Sequence, residues 1–357
     1  MTILPNNDGI IAKKYIENKM KIIIGDFSLP IKDPWMFFKK KKQLIKIIDD
    51  EKPDLIHFHF VTNILFGRMA LRKNKTPRLF QVPGPLHLEN ALIRKIEIGL
   101  AKNNDYWAPA CVFSKKIYEK RVSKNRVFLA YYGGYGGDYI NSYTDTNKLH
   151  EEYNIDSSKI VIAMVSYFYK PKYYLGQTRG IKGHEDFIDA INILNKKNDD
   201  IIAIVVGGPW GNSKKYENKV KKYAKRQKVK NIIFTGYRDD VKNIYKEFSI
   251  AVHPSHSENL GGAAESLAAA VPTISTDVGG FPDIVIDNKT GILCKPKKPK
   301  DLACAIEKMI INYEDAQKMA IAGKERIKEL LDIQKTSRII LSIYESILNS
   351  NNKNGVE

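Results

Sequence analysis

Unbroken apolar runs alternate along this chain with longer segments whose apolar residues recur every three to four positions. Ile160-Val-Ile-Ala-Met-Val165 and Ile201-Ile-Ala-Ile-Val-Val206 are the plainest runs. A run without polar alternation suits a strand covered on both faces of a parallel sheet. Between them Phe187, Ala190, Ile191 and Leu194 form the inward stripe of a helix. The same rhythm predicts strands over 20–25, 54–60, 78–82, 231–237, 250–254, 272–277 and 290–294. It predicts helices over 10–18, 64–72, 213–228, 239–248, 260–270, 299–312, 314–331 and 336–349. Strands that alternate with helices read as a doubly wound α/β fold.

At 357 residues the chain is long for one core, so two such domains are expected. The first runs over 1–140, the second over 141–331, and a closing helix with a polar tail over 332–357. Gly133, Gly134, Gly136 and Gly137 near the crossing supply the backbone freedom of a hinge.

Hydrophobic content of 43% and charged content of 27% are those of an ordinary globular protein. No apolar run reaches the length that spans a bilayer. The first residues lack the pattern of a secretory signal or transit peptide, so a cytoplasmic protein is expected. Cys111, Cys294 and Cys304 have no metal-ligand or disulfide spacing and read as buried thiols.

A formal charge of +18 raises the question of nucleic acid, which is bound mainly through Lys and Arg. The lysines are spread over nearly every predicted helix, however, and no nucleic-acid motif is present, so no nucleic-acid partner is expected. Attraction to an anionic membrane surface is the better use for the excess. Its candidate is Trp35-Met-Phe-Phe-Lys-Lys-Lys-Lys-Gln-Leu-Ile-Lys-Ile-Ile48, where aromatics precede a lysine cluster. An ordinary amphipathic helix with Leu44, Ile47 and Ile48 inward accounts for the pattern equally well.

Chemistry is concentrated between His253 and Pro272. A strand ends there, a polar loop follows, and Asn259-Leu260-Gly261-Gly262 leads into a small-residue helix. The unpaired amides of a helix start suit a phosphate. Glu258 in the loop and Glu265 one turn inside the helix flank that place. Carboxylates beside a polyphosphate repel it unless they are aimed at hydroxyls, so the pair suggests a nucleotide sugar. Gly207 and Gly208, at the end of another strand, permit a ligand to approach the sheet edge. His57 and His59, toward the end of the strand over 54–60, and His87 and Glu89, beyond the strand over 78–82, are the polar candidates for an acceptor, with His87 the one chosen.

Pro254-Ser-x-x-x-Glu258, the second glutamate, Val271-Pro272 and Gly279-Gly280-x-Pro282 together resemble the donor site of family-4 retaining glycosyltransferases. The resemblance implies a GT-B architecture of two facing doubly wound domains, with the last helix returning to the first domain. It implies that Glu258 contacts the donor sugar and Glu265 the ribose, although six residues separate them here where the family usually has seven. It also implies that Lys182 and Arg179 hold the diphosphate without a metal, and that the loop at Tyr237 and Arg238 meets the base. The donor is then a nucleotide sugar, UDP-linked or GDP-linked, and the acceptor a hydroxyl on a glycan or lipid-linked chain. The family's customary first strand, glycine loop and helix are not evident before the strand over 20–25. That feature and the shortened spacing leave open an inactive relative that binds nucleotide or a partner glycosyltransferase.

Overall fold

The computed structural model describes residues 1–6, 9–134, 142–143, 146–173 and 176–354. Gly136 and Gly137 of the expected hinge, and the expected boundary at 140, lie outside the described residues.

The N-terminal lobe opens with β1 (Thr2–Leu4), α1 (Ile10–Glu17) and β2 (Ile22–Ile24), the two strands pairing in parallel. A short strand, loop and helix therefore do begin the lobe, whereas the sequence showed no strand before α1. Three residues are too few for a periodic signal, and Thr2–Leu4 becomes a strand only by pairing with Ile22–Ile24. After α2 (Met36–Glu51), the strands β3 (Ile56–His59), β4 (Arg78–Val82) and β5 (Asp105–Pro109) form a second parallel sheet. The helices α3 (Val61–Ala70), α4 (Leu86–Glu89), α5 (Ala91–Gly99) and α6 (Val112–Glu119) connect and follow these strands.

Phe58, Phe66, Phe80 and Trp107 pack with Leu44 and Ile48 of α2 on one side of this sheet. Leu44 and Ile48 are therefore core, and Lys46 between them stands outward. Arg68 is buried in the same core, where its guanidinium meets Glu97 at 2.5 Å and stacks 4.2 Å above the Phe80 ring. Arg78 is also buried and bonds Asp105 at 2.6 Å.

The C-terminal lobe runs α7 (Lys148–Tyr153), β6 (Ile160–Val165), α8 (His184–Leu194), β7 (Ile201–Val206), α9 (Lys214–Arg226), β8 (Ile232–Gly236), α10 (Val241–Ile244) and β9 (Ile250–His253). It continues through α11 (Gly261–Ala268), β10 (Thr273–Thr276), α12 (Phe281–Ile284), β11 (Ile292–Cys294), α13 (Pro299–Ile311) and α14 (Tyr313–Leu330). Its six strands are parallel, in the order β11-β10-β9-β6-β7-β8. The order reverses between β6 and β9, and open α/β sheets bind ligands at the crevice such a reversal leaves. The loops after β6 and β9 carry Lys182 and Glu258. Cys111 and Cys294 are buried, but Cys304 is exposed. It lies on the outer side of α13, whose Leu302, Ala303, Ala305 and Ile306 face the core.

The last helix, α15 (Ile333–Asn354), buries Ile343 and Ile347 against Leu79, Tyr106 and Ala108 of the N-terminal lobe. Hydrogen bonds also join the lobes. The Asp283 carboxylate accepts from the Val112 amide at 2.7 Å and from the Tyr131 hydroxyl at 3.1 Å. The Ser257 hydroxyl donates to Glu89 at 2.9 Å.

Candidate active site

Lys182 sits two residues before α8 and Glu258 three residues before α11, and their side chains are bonded to each other. Gly183 makes this possible. It has φ +74°, and a Cβ there would stand 2.0 Å from the Pro254 carbonyl oxygen. Only a glycine lets the loop bearing Lys182 lie directly on the loop bearing Glu258. The His256 amide donating to the Ile181 carbonyl at 2.7 Å fastens the two loops.

The Gly279-Gly280 pair holds Glu258 from the other side. The Gly280 amide donates to the Glu258 carbonyl at 3.1 Å, and a Cβ on Gly279 would stand 1.9 Å from that oxygen. Glu258 Oε1 accepts from the Asn259 amide at 3.1 Å, while Asn259 Oδ1 is buried with no bonded partner among the described residues. The Glu258 carboxylate rests against Gly261, where a Cβ would be 2.9 Å from its Cδ. Leu260 is buried as the residue before α11, and the first-turn amides of Gly261 and Gly262 open that helix.

Glu265, one turn further in, accepts from the Tyr245 hydroxyl at 2.9 Å. Burial raises its pKa above the ordinary carboxylate value, and the Tyr245 hydrogen bond opposes that rise. A partly buried carboxylate with one of its oxygens bonded retains acceptor capacity for a hydroxyl.

Other expected residues are placed differently. Arg179 is bonded to Asp186 and, at 2.8 Å, to Asp189. Burial alone would lower its pKa, but Asp189 and Asp186 hold it above the ordinary arginine value. It faces a cavity of about 510 Å³ between the lobes, lined also by Glu89, Asn90, His256 and Lys297, and does not join the Lys182–Glu258 pair. Asp186 and Asp189 lie on α8, so the helix that follows the loop neutralises the cation expected to hold phosphate.

His87 turns inward. It is buried, its Nε2 lies 3.2 Å from the Tyr118 hydroxyl, and burial lowers its pKa to about 4. A neutral imidazole in the lobe interior is not placed to meet an acceptor. His57 and His59 stack at 4.3 Å and point to Tyr344 and Tyr132. Of the acceptor candidates, Glu89 alone reaches across to the second lobe, and burial raises its pKa against the opposing Ser257 bond.

Arg238 is tied to Asp240 at 2.8 Å and Glu152 at 2.7 Å, while Tyr237 beside it is exposed. Gly207 leaves room for protein rather than for ligand, since a Cβ there would stand 2.2 Å from the Ser166 carbonyl oxygen. At Gly208 a Cβ would meet Tyr237. No local pattern announces the Lys182–Glu258 bond, nor the aromatic group of Tyr167, Tyr169 and Trp210 beside it.

Two Rossmann-like lobes facing across a cleft, with lysine, glutamate and a helix start at the switch point of the second, define a glycosyltransferase of GT-B fold. The chain belongs to the glycosyl transferases group 1 family, whose model matches residues 145–326; a glycosyl transferase 4-like model matches residues 8–86. It is 25% identical to the capsular polysaccharide biosynthesis glycosyltransferase CapM of Staphylococcus aureus, over 96% of this chain and 89% of that one. It is 28% identical to the lipopolysaccharide core biosynthesis mannosyltransferase LpsB of Rhizobium meliloti, over 48% of this chain and 50% of that one. Anabaena Alr3699/HepE, solved with UDP, shares the fold at TM-score 0.77 and 16% identity, over 95% of this chain and 90% of that one.

Proposed function

We propose that this protein is a retaining hexosyltransferase that moves a sugar from a nucleotide diphosphate to a hydroxyl of a glycan or lipid-linked acceptor, in the synthesis of a bacterial surface polysaccharide. The observation that carries this reading is the convergence of Lys182, Glu258 and the start of α11 at the switch point. The CapM and LpsB relatives point to surface glycans, and the Anabaena protein's UDP favours a UDP-sugar over a GDP-sugar.

Lys182 and Glu258 are bonded to each other. A diphosphate at the helix start takes the ammonium of Lys182, and Glu258 is released to accept from a sugar hydroxyl. Lys182 and the amides of Gly261 and Gly262 stabilise the charge of the departing nucleotide, with no metal required. The acceptor oxygen bonds to the anomeric carbon as the bond to the β-phosphate breaks, and a phosphate oxygen takes the acceptor proton on the same face. Glu265 accepts from the ribose, and exposed Tyr237 flanks the base.

The protein acts at the inner face of the cell membrane. Trp35 is 83% exposed, Ile31 74% and Phe38 68%, with Lys32, Lys39 and Lys42 beside them. Apolar rings within a basic patch suit an anionic bilayer. No helix among the described residues is long and apolar enough to cross one.

Calorimetric titration with UDP and GDP, followed by assay of UDP-sugar and GDP-sugar hydrolysis, tests the reading. Nucleotide binding with measurable donor turnover upholds it. Binding without turnover of any donor favours the inactive relative, and binding of neither nucleotide removes the donor site.

A further inference from the structure

Beyond β6 the chain continues alongside the segment that follows β7, bridging Phe168 to Pro209. The Phe168 amide donates to the Gly208 carbonyl at 2.9 Å and the Trp210 amide to the Phe168 carbonyl at 3.1 Å. Alternation along this extension sends Phe168 into the core, where it stacks on His184 at 4.1 Å. Tyr167 and Tyr169 therefore emerge on the opposite side, and both meet Trp210, with ring centroids 5.2 and 5.7 Å away. The Lys182 ammonium lies 5.5 Å from the Tyr169 centroid, so the aromatic group adjoins the Lys182–Glu258 pair. Trp210 keeps 54% of its surface in solvent and Tyr167 38%. An indole held by backbone bonds at a crevice edge and left uncovered is poised for a ligand.

We propose that Tyr167, Tyr169 and Trp210 form a stacking platform for a pyranose ring of the acceptor. The group that receives the sugar is then presented by a saccharide, not by a bare lipid hydroxyl. A pyranose has one face of C–H bonds, weakly positive and apolar, which complements the negative face of an aromatic ring. Its hydroxyls project sideways, where the phenol oxygens of the tyrosines and water can bond them. The platform lies beside the ammonium assigned to the donor phosphates, which brings a stacked ring close to the anomeric carbon. This inference rests on the donor assignment above and adds the chemical class of the acceptor.

The experiment compares wild type, Trp210→Ala and Trp210→Phe, with circular dichroism to establish that each is folded. UDP affinity is measured by calorimetry. Each protein, saturated with UDP, is then applied to an array of hexose-containing oligosaccharides. UDP affinity unchanged within twofold in all three, with array binding lowered at least tenfold by Trp210→Ala and largely kept by Trp210→Phe, is the expected result. A tenfold loss of UDP affinity in Trp210→Ala assigns the rings to the nucleotide and overturns the proposal. So does equal array binding by wild type and Trp210→Ala, or no array binding by wild type. If wild type binds neither UDP nor GDP, the donor reading fails separately and the array with protein alone decides the platform.

Discussion

The ammonium of Lys182 is bonded to the carboxylate of Glu258, so the two groups proposed to meet the donor lie side by side at the switch point. The two side chains keep only 21% and 14% of their surface in solvent, so an ion parted from its partner there needs a new one. A diphosphate beside Lys182 would supply that partner to the ammonium, and a sugar hydroxyl would supply it to the carboxylate. Lys182→Ala is expected to lower donor turnover more than tenfold, with the far-ultraviolet circular dichroism and Tm close to wild type. Glu265→Ala should do the same. Unchanged donor consumption in either folded variant would remove that residue from the site.

Gly183→Ala forces a Cβ toward the Pro254 carbonyl at a φ of +74°. The cost is about 1–3 kcal/mol, a fall in Tm of several degrees. Because the strain lies under the two site loops, UDP affinity should weaken as well. Scanning calorimetry and nucleotide titration read the two effects, and a Tm equal to wild type would show that the loops are free to separate.

Arg68 is buried with Glu97 and beside Asp105. Arg68→Met strips the cation and leaves buried carboxylates without it, which costs about 3–5 kcal/mol. A urea midpoint unchanged from wild type would contradict the burial of this group.

Burial holds His57, His184 and His253 down to about 3, with the neighbouring charges of His59 and Lys182 adding to the effect. In the unfolded chain these imidazoles titrate near the ordinary value of about 6.5. Between those values the unfolded state binds more protons, so their contribution is complete above pH 6.5 and is lost as pH falls toward 3. Tm should decline from pH 7.5 to 5.5 at constant salt. His184→Phe, at the ring stacked on Phe168, should flatten that decline. A wild-type Tm independent of pH over this range would mean that the histidines take up protons equally in the folded and unfolded states.

Sedimentation with vesicles containing about one-third anionic lipid tests the basic, aromatic edge around Trp35. The double variant Trp35→Ser, Phe38→Ser should lose most of the bound fraction while retaining UDP affinity, and raised salt should weaken wild-type binding. Equal recovery on wholly zwitterionic vesicles would contradict an electrostatic contribution.

Long apolar runs made β6 and β7 visible, and the three-to-four spacing made α8 and α9 visible, because sheet and helix interiors impose these periods locally. β5 was hidden. Its Asp105-Tyr-Trp-Ala-Pro109 begins with a charge and ends with a proline, and it is buried throughout only because Arg78 and Arg68 arrive from other elements to meet Asp105. The same limit applies within the site. Arg179 offered a cation at a plausible distance along the chain, and its neutralisation by Asp186 and Asp189 depends on how α8 turns those side chains back to the loop.

By itself the sequence determined the alternating α/β pattern, the glycine-led helix start after Glu258, and the Gly279-Gly280 segment, since each follows from the conformational demands of adjacent residues. Only the tertiary structure decided that Lys182 meets Glu258, that Arg179 and His87 are engaged elsewhere, and that Tyr167, Tyr169 and Trp210 converge. Those relationships are set by strand order and by the contact of loops far apart in the chain, and charge or aromatic character at one position carries no record of its partner in space.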